Sequence, residues 1–308
     1  MNTGNYKTVE LPLAFRLAEN LVRKRSPKAW LTLSFLIPRP RLKYLFLCYA
    51  YLRWVDNLID NKIISIDEKK KFINKQIELA ATFSYEKDAI PKTNQEAFLF
   101  YFLLYAIKHK KPQLINELKN MLEAMRMDVC RLEQKGIFDA VNLARYFTFL
   151  NKAMFDIVHS FMYPEKNCDG KYENLGEIFW GAGTLRDFKK DLECGYINIS
   201  KEDLNNYKID IEHYHKDENL KKWLKNRIVH LFELLEGEVK ILIEMPLKIR
   251  LFWAIAYPFY LHKIIRINMY GYTLDYESKF HFLKEIKSVI AALTLGIKTI
   301  IKIIFKIL

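Results

Sequence analysis

Tyr49-Ala50-Tyr51-Leu52-Arg53-Trp54-Val55-Asp56-Asn57-Leu58-Ile59-Asp60 closes an apolar, aromatic-rich run that reads as one helix over about 40–61. Asp56 and Asp60 stand at i and i+4, so their carboxylates share one helix face. A second such pair, Asp187 and Asp191, lies in Leu185-Arg186-Asp187-Phe188-Lys189-Lys190-Asp191. Each pair has an arginine just upstream on its helix, Arg53 and Arg186. One acidic i,i+4 pair alone is commonly a solvated helix face. Two pairs, one of them ending a strongly apolar helix, point to hydrated divalent metal holding a diphosphate. Magnesium suits such a donor set, since it is usually bound by one or two carboxylates plus substrate phosphates and keeps several waters.

Outward from these motifs the chain reads as all-helical. Only 10 Gly and 9 Pro appear in 308 residues, and long stretches lack both. Helices are expected over 11–37 (with a break near Pro27 and Pro38), 67–84, 94–109, 112–134, 139–162, 173–193, 217–243 and 247–271. Gly136, Pro164, Gly170, Gly195 and Pro246 fall between these blocks, where helix stops belong. Phe98 to Ile107 and Trp253 to Leu261 are apolar nearly all round, as central helices of a bundle must be. Gly176, Gly181, Ala182 and Gly183 imply either close helix approach or room for a ligand beside the second pair. No repeat or low-complexity linker interrupts the chain, so one domain is the simplest organisation.

The chain has 49 Lys and Arg against 36 Asp and Glu, a net charge of +13. That balance suits an anionic small substrate or an anionic membrane. No zinc-finger spacing or dense arginine cluster supports nucleic acid, so no nucleic-acid partner is expected. The four cysteines are far apart and form no CxxC, which fits reduced thiols in the cytoplasm. Residues 1–20 carry no long apolar run, so they do not read as a signal peptide. No P-loop or GxGxxG occurs, and His213-Tyr214-His215 lacks a third zinc ligand nearby.

The last stretch is distinct. From Lys287 to Leu308 there is no acidic residue, and Ser288 to Ile297 is ten uncharged residues, too short to span a bilayer. Lys298, Lys302 and Lys306 repeat at i+4 among Ile, Phe and Leu. Residues 284–308 therefore read as a basic amphipathic helix suited to peripheral contact with a membrane surface. Docking on the protein's own core is the alternative.

Taken together these residues resemble the squalene/phytoene synthase family. Ser34 to Asp60 looks like the family's segment from "LLP" through "YAxCRxxDDxxD". Glu123-Ala124-Met125-Arg126-Met127-Asp128 is similar to "GMRxD", and Gly176 through Asp191 to "GxALQLTNILRDxxED". Tyr260 precedes Gly271-Tyr272 with the spacing of a family tyrosine ahead of "GYxxF". The likeness spans about residues 20–280. It implies a single-domain isoprenoid-synthase-type α bundle around a central cavity over 1–283. It implies Mg2+ on Asp56, Asp60, Asp187 and Asp191, with Arg53, Arg186 and Tyr260 on the diphosphate. Asn57, Lys28 and Asp128 join the substrate-binding set. The implied activity is ionisation of a C10–C20 allylic prenyl diphosphate. It leads either to head-to-head coupling or to cyclisation or transfer of one chain. A non-catalytic, membrane-associated member binding a lipid or partner protein is the alternative.

Several positions depart from the family pattern. Asn57 replaces an aspartate, and Pro27-Lys28-Ala29-Trp30 replaces Ser-x-Ser-Phe. Tyr146 to Phe155 lacks the small residues that make room for a second prenyl chain. Trp180, Gly183 and Lys190 stand where Gln, Asn and Glu are usual. The arginine of "GRxYLP" is absent from Gly195-Tyr196-Ile197-Asn198-Ile199-Ser200.

Overall fold

Helix α3 (Arg39–Ile59) is the apolar run that carries the first acidic pair, and it is where the core begins. Leu42, Phe46, Leu47, Ala50, Tyr51, Val55 and Ile59 are all buried along it. The structure is a computed structural model describing residues 9–83, 91, 93–165 and 173–272, with scattered residues between 287 and 301. Among the described residues up to Tyr272 the chain forms eleven α-helices, one 3-10 turn (Tyr214–Lys216) and no strand beyond a single bridge between Ile137 and Ile197. The helices group into two compact units. One comprises Met1–Cys130 with Lys152–Gly170, the other Arg131–Asn151 with Lys171–Leu308.

In the first unit α3 packs against α1 (Leu11–Arg25), α2 (Pro27–Leu36), α4 (Ile66–Thr82) and α5 (Asn94–Lys108). Ala14, Ala18 and Val22 repeat every fourth residue and are buried, so small side chains let α1 lie close to its neighbours. The break expected near Pro27 is real, and Pro27 takes the first-turn position where its missing N–H costs nothing. Capping boxes at Ser65 with Glu68 and Thr93 with Glu96 start α4 and α5. Inside the core, Tyr51 Oη donates to Gln76 Oε1 at 2.9 Å, which satisfies two buried polar groups between α3 and α4.

Helix α6 (Pro112–Leu132) and helix α7 (Ala140–Met162) contribute an ionic trio to the same unit. Lys152 Nζ donates to Glu117 Oε1 at 2.8 Å and to Asp156 Oδ2 at 2.6 Å. Burial alone would pull the Lys152 ammonium down. The bonds to Asp156 and Glu117 outweigh that and hold it above its ordinary value. Lys152 is thus bound between two carboxylates.

The second unit is built on α8 (Glu173–Glu193), α10 (Glu218–Glu244) and α11 (Leu247–Met269), which pack on one another, with α9 (Lys201–Tyr207) against α10. Ala182, Leu185, Phe188, Leu224, Ile228, Leu231, Ile264 and Ile267 form its core. Helix α9 was not expected from the sequence, yet Ser200 caps it through Asp203 N–H and two acids fill its first turn. The glycines of α8 divide by role. A Cβ at Gly176 would meet Asn151 Cβ at 2.3 Å, and one at Gly181 would meet Leu231 Cδ2 at 2.7 Å, so both mark close helix approach. A Cβ at Gly183 would meet nothing within 4 Å among the described residues.

Of the expected terminal helix, only scattered residues between Lys287 and Ile301 are described, all helical; the rest of it, including its boundary at 283/284, lies outside the described residues. Ile290, Ile297 and Ile301 are exposed. Among the described residues no helix is long and apolar enough to cross a membrane.

Two predictions follow from this packing. Alanine is favoured over glycine in a helix by about 1 kcal/mol, whereas overpacking costs about 1–3 kcal/mol. Gly183→Ala is therefore expected to raise stability by about 0.5–1 kcal/mol. Gly176→Ala is expected to lower it, because both Asn151 Cβ and its backbone stand in the way. Urea denaturation of the two variants checks the opposite signs. Separately, Lys152→Met strips two nearly buried carboxylates of their shared donor and is expected to cost about 1–3 kcal/mol in the same measurement, while Lys152→Arg retains most of it.

Candidate functional site

Each acidic pair sits on a partly exposed face of its helix, opposite buried apolar residues. In the first unit Val55 and Ile59 anchor the last turn of α3, which turns Asp56 outward to half exposure. Asp60 follows one turn later as the C-cap residue, its backbone N–H bonded to Asp56 O at 2.9 Å. Arg53 Nη1 donates to Asp56 Oδ2 at 2.5 Å, with both side chains 33% exposed. Asn57 is exposed beside them. Lys28 is exposed on α2, and Asp128 is half-buried on α6.

The second unit repeats the pattern on α8. Leu185 and Phe188 are buried, and Asp187 and Asp191 look the other way. Arg186 chelates Asp187 with both Nε and Nη2, the former at 2.5 Å to Oδ1. In both units, then, the upstream arginine neutralises the first aspartate of its pair. These are solvent-screened contacts, and such exposed pairs contribute at most about 1 kcal/mol. Either arginine can exchange its aspartate for a stronger anion at little cost.

Gly183, Asp187 and Asp191 recur every fourth residue, so the open space at Gly183 adjoins the acidic face. Trp180, one turn earlier on that stripe, has its indole Nε1–H buried with no acceptor among the described residues. An orphaned buried donor in a native fold calls for an explanation, and an anionic ligand supplies one.

Asp191 is further held by Asn198, whose Nδ2 donates to Asp191 Oδ2 at 2.9 Å. Asn198 Oδ1 accepts from Arg131 Nη1 at 2.9 Å. Arg131 is 2% exposed and lies over the rings of Tyr196, Phe138 and Tyr146 at 4.6, 5.0 and 5.1 Å. Two glycines permit this meeting. Gly136 (φ +75°) and Gly195 (φ +88°) adopt left-handed backbone, and a Cβ on Gly136 would fall 1.7 Å from Gly195 O. Ile197 N–H bonds Gly136 O at 3.0 Å, and Lys201 N–H bonds Phe138 O at 2.8 Å. Sequence reasoning missed Arg131 and Asn198. No motif or spacing in the sequence singled either of them out.

Among the described residues, no three or more His, Cys, Asp or Glu side chains gather to hold a metal unaided. Two carboxylates per helix, completed by water and phosphate, are nevertheless the oxygen set magnesium takes. The residues fit that ion and not a closed zinc cage. Tyr260 belongs to α11, but its side chain lies outside the described residues.

Comparison with known proteins follows the same direction. The profile of the squalene/phytoene synthase family matches residues 22–283. A search of curated proteins found no significant match. Among solved structures, a dehydrosqualene synthase in complex with ligand is similar with a TM-score of 0.66 and 17% identity, over 92% of this chain and 96% of that one. The squalene synthase HpnC from Alicyclobacillus acidocaldarius is similar with a TM-score of 0.66 and 14% identity, over 87% and 98% of the two chains. These likenesses establish the all-α isoprenoid-synthase fold. With its profile match over most of its length, the chain belongs to the squalene/phytoene synthase family.

Proposed function

We propose that this protein is a magnesium-dependent enzyme that ionises an allylic prenyl diphosphate of C10–C20 length. The observation that carries this reading is the twofold arrangement of an outward acidic pair with its own arginine, in a chain of this family. Asp56 and Asp60 on α3, and Asp187 and Asp191 on α8, would each offer carboxylates to magnesium. Bound magnesium supplies charge neutralisation that turns diphosphate into a leaving group. Arg53 and Arg186 give up their aspartates and meet phosphate oxygens, and Lys28, Asn57, Asp128 and the Tyr260 hydroxyl complete the polar contacts. The buried Trp180 N–H, on the stripe of Asp187 and Asp191, donates to a diphosphate oxygen, and its ring face stabilises positive charge left on the prenyl carbon.

On this reading the protein works on one prenyl chain, by cyclisation or transfer, in preference to head-to-head coupling of two. Phe155 is buried in α7, and Lys152 on the same helix is fixed by two carboxylates. Both stand where the family pattern has small residues. On this reading the C-terminal segment rests on an anionic membrane, into which apolar products partition. Exposed Ile290, Ile297 and Ile301, with exposed Lys287 and Lys298, support that contact.

The test is incubation of purified protein with magnesium and C10, C15 and C20 allylic diphosphates, followed by pyrophosphate assay and mass spectrometry of the organic phase. Turnover with at least one chain length is expected. Asp56→Ala and Asp187→Ala are each expected to lower it by at least about 100-fold while keeping the wild-type circular dichroism spectrum. Absence of turnover at every chain length would sink the proposal.

A further inference from the structure

Arg131 and Asn198 belong to no acidic motif, yet they form a continuous polar chain from a buried guanidinium to the half-buried Asp191. A guanidinium removed from water is costly unless its charge is compensated. Here three aromatic faces surround it at 4.6–5.1 Å, an arrangement that attracts a cation most strongly when desolvated. Their rings also fix its position. Arginine has donors only, so the amide oxygen of Asn198 must face Arg131. The amide nitrogen must then face outward, and it meets Asp191 Oδ2. The direction of the amide is therefore dictated by Arg131, and the buried end of the relay sets the exposed end.

The backbone around this relay is equally constrained. The segment after α8 is tied to Asp191 O through Tyr196 N–H at 2.8 Å and to Gly136 O through Ile197 N–H. Asn198 is delivered to Asp191 by a loop that cannot slide without breaking the contact between the two glycines.

We propose that Arg131 and Asn198 are positioning residues that hold the Asp191 carboxylate in the orientation used for magnesium and diphosphate. This rests on the reading of Asp191 as a metal ligand. Groups that orient a ligating side chain typically carry about a 10–100-fold effect on metal affinity.

The experiment uses the full chain and follows thermal unfolding while magnesium is titrated in the presence of inorganic diphosphate. Asn198→Ala is expected to raise the magnesium midpoint by about 10-fold or more, and Arg131→Lys to raise it less. Asn198→Asp keeps the bond from Arg131 but opposes Asp191 with a second carboxylate. Its metal-free crystal structure is expected to show Asp191 swung away from residue 198, a readout that needs no activity and covers the case in which the alanine variant folds poorly. An unchanged magnesium midpoint in Asn198→Ala, or an unmoved Asp191 in Asn198→Asp, overturns the proposal. Asp191→Ala, measured alongside, separates the two levels. If it loses the magnesium response while Asn198→Ala keeps it, the positioning role alone falls. If wild type shows no response, the metal-ligand reading falls and takes the positioning role with it.

Discussion

Two carboxylates one helical turn apart repel each other, and this chain accepts that repulsion twice. Such a pair is tolerable only on an exposed face or beside compensating positive charge, and both conditions are met in each unit. Val55 and Ile59 turn Asp56 outward, and Leu185 and Phe188 do the same for Asp187. Arg53 and Arg186 then supply the charge. The rest of each unit serves this requirement. It buries the remaining faces of α3 and α8 firmly enough that the acidic face has one place to point.

The means of burial differ between the two helices. Around α3, bulky Leu, Phe and Tyr side chains fill space against small residues of α1. Along α8, Gly176 and Gly181 bring neighbouring side chains into contact with the helix backbone itself. A helix held that closely has little freedom to rotate. Rotation by one residue, about 100°, would bury an aspartate and expose the core stripe. Glycine costs helix propensity at both positions, and close packing is what offsets it.

Much of this was legible in the sequence because it is local. The spacing of Asp56 with Asp60, the prolines at 27 and 38, and the glycines between blocks each act within one helical turn, and the helices began and ended near where those residues placed them. Short α9 escaped because its signal is a cap and a charged first turn, Ser200 with Glu202 and Asp203, without an apolar stripe to announce it. The glycines of α8 were legible only as a choice between close approach and open space. The structure gives both answers on one helix, since what decides each is a partner far away in sequence, Asn151 or Leu231. Arg131 and Asn198 were illegible for the same reason. Their meeting is 67 residues long in sequence and depends on two left-handed glycines.

Where the acidic face of α8 departs from the family pattern, the losses and gains have a common direction. Gly183 removes a polar side chain and leaves space, and Trp180 brings a buried N–H that has no acceptor, both among the described residues. At these two positions the protein offers a metal no side-chain oxygen, and Trp180 keeps one N–H for an anion. Magnesium keeps its preference for six oxygens regardless, so on the proposed reading the missing ones come from water and from the diphosphate itself. Ion and substrate would then each bind weakly alone and strengthen the other by the same factor, as linkage requires. On that reading Asp56 and Asp187 would leave their arginine partners only when ion and diphosphate arrive together.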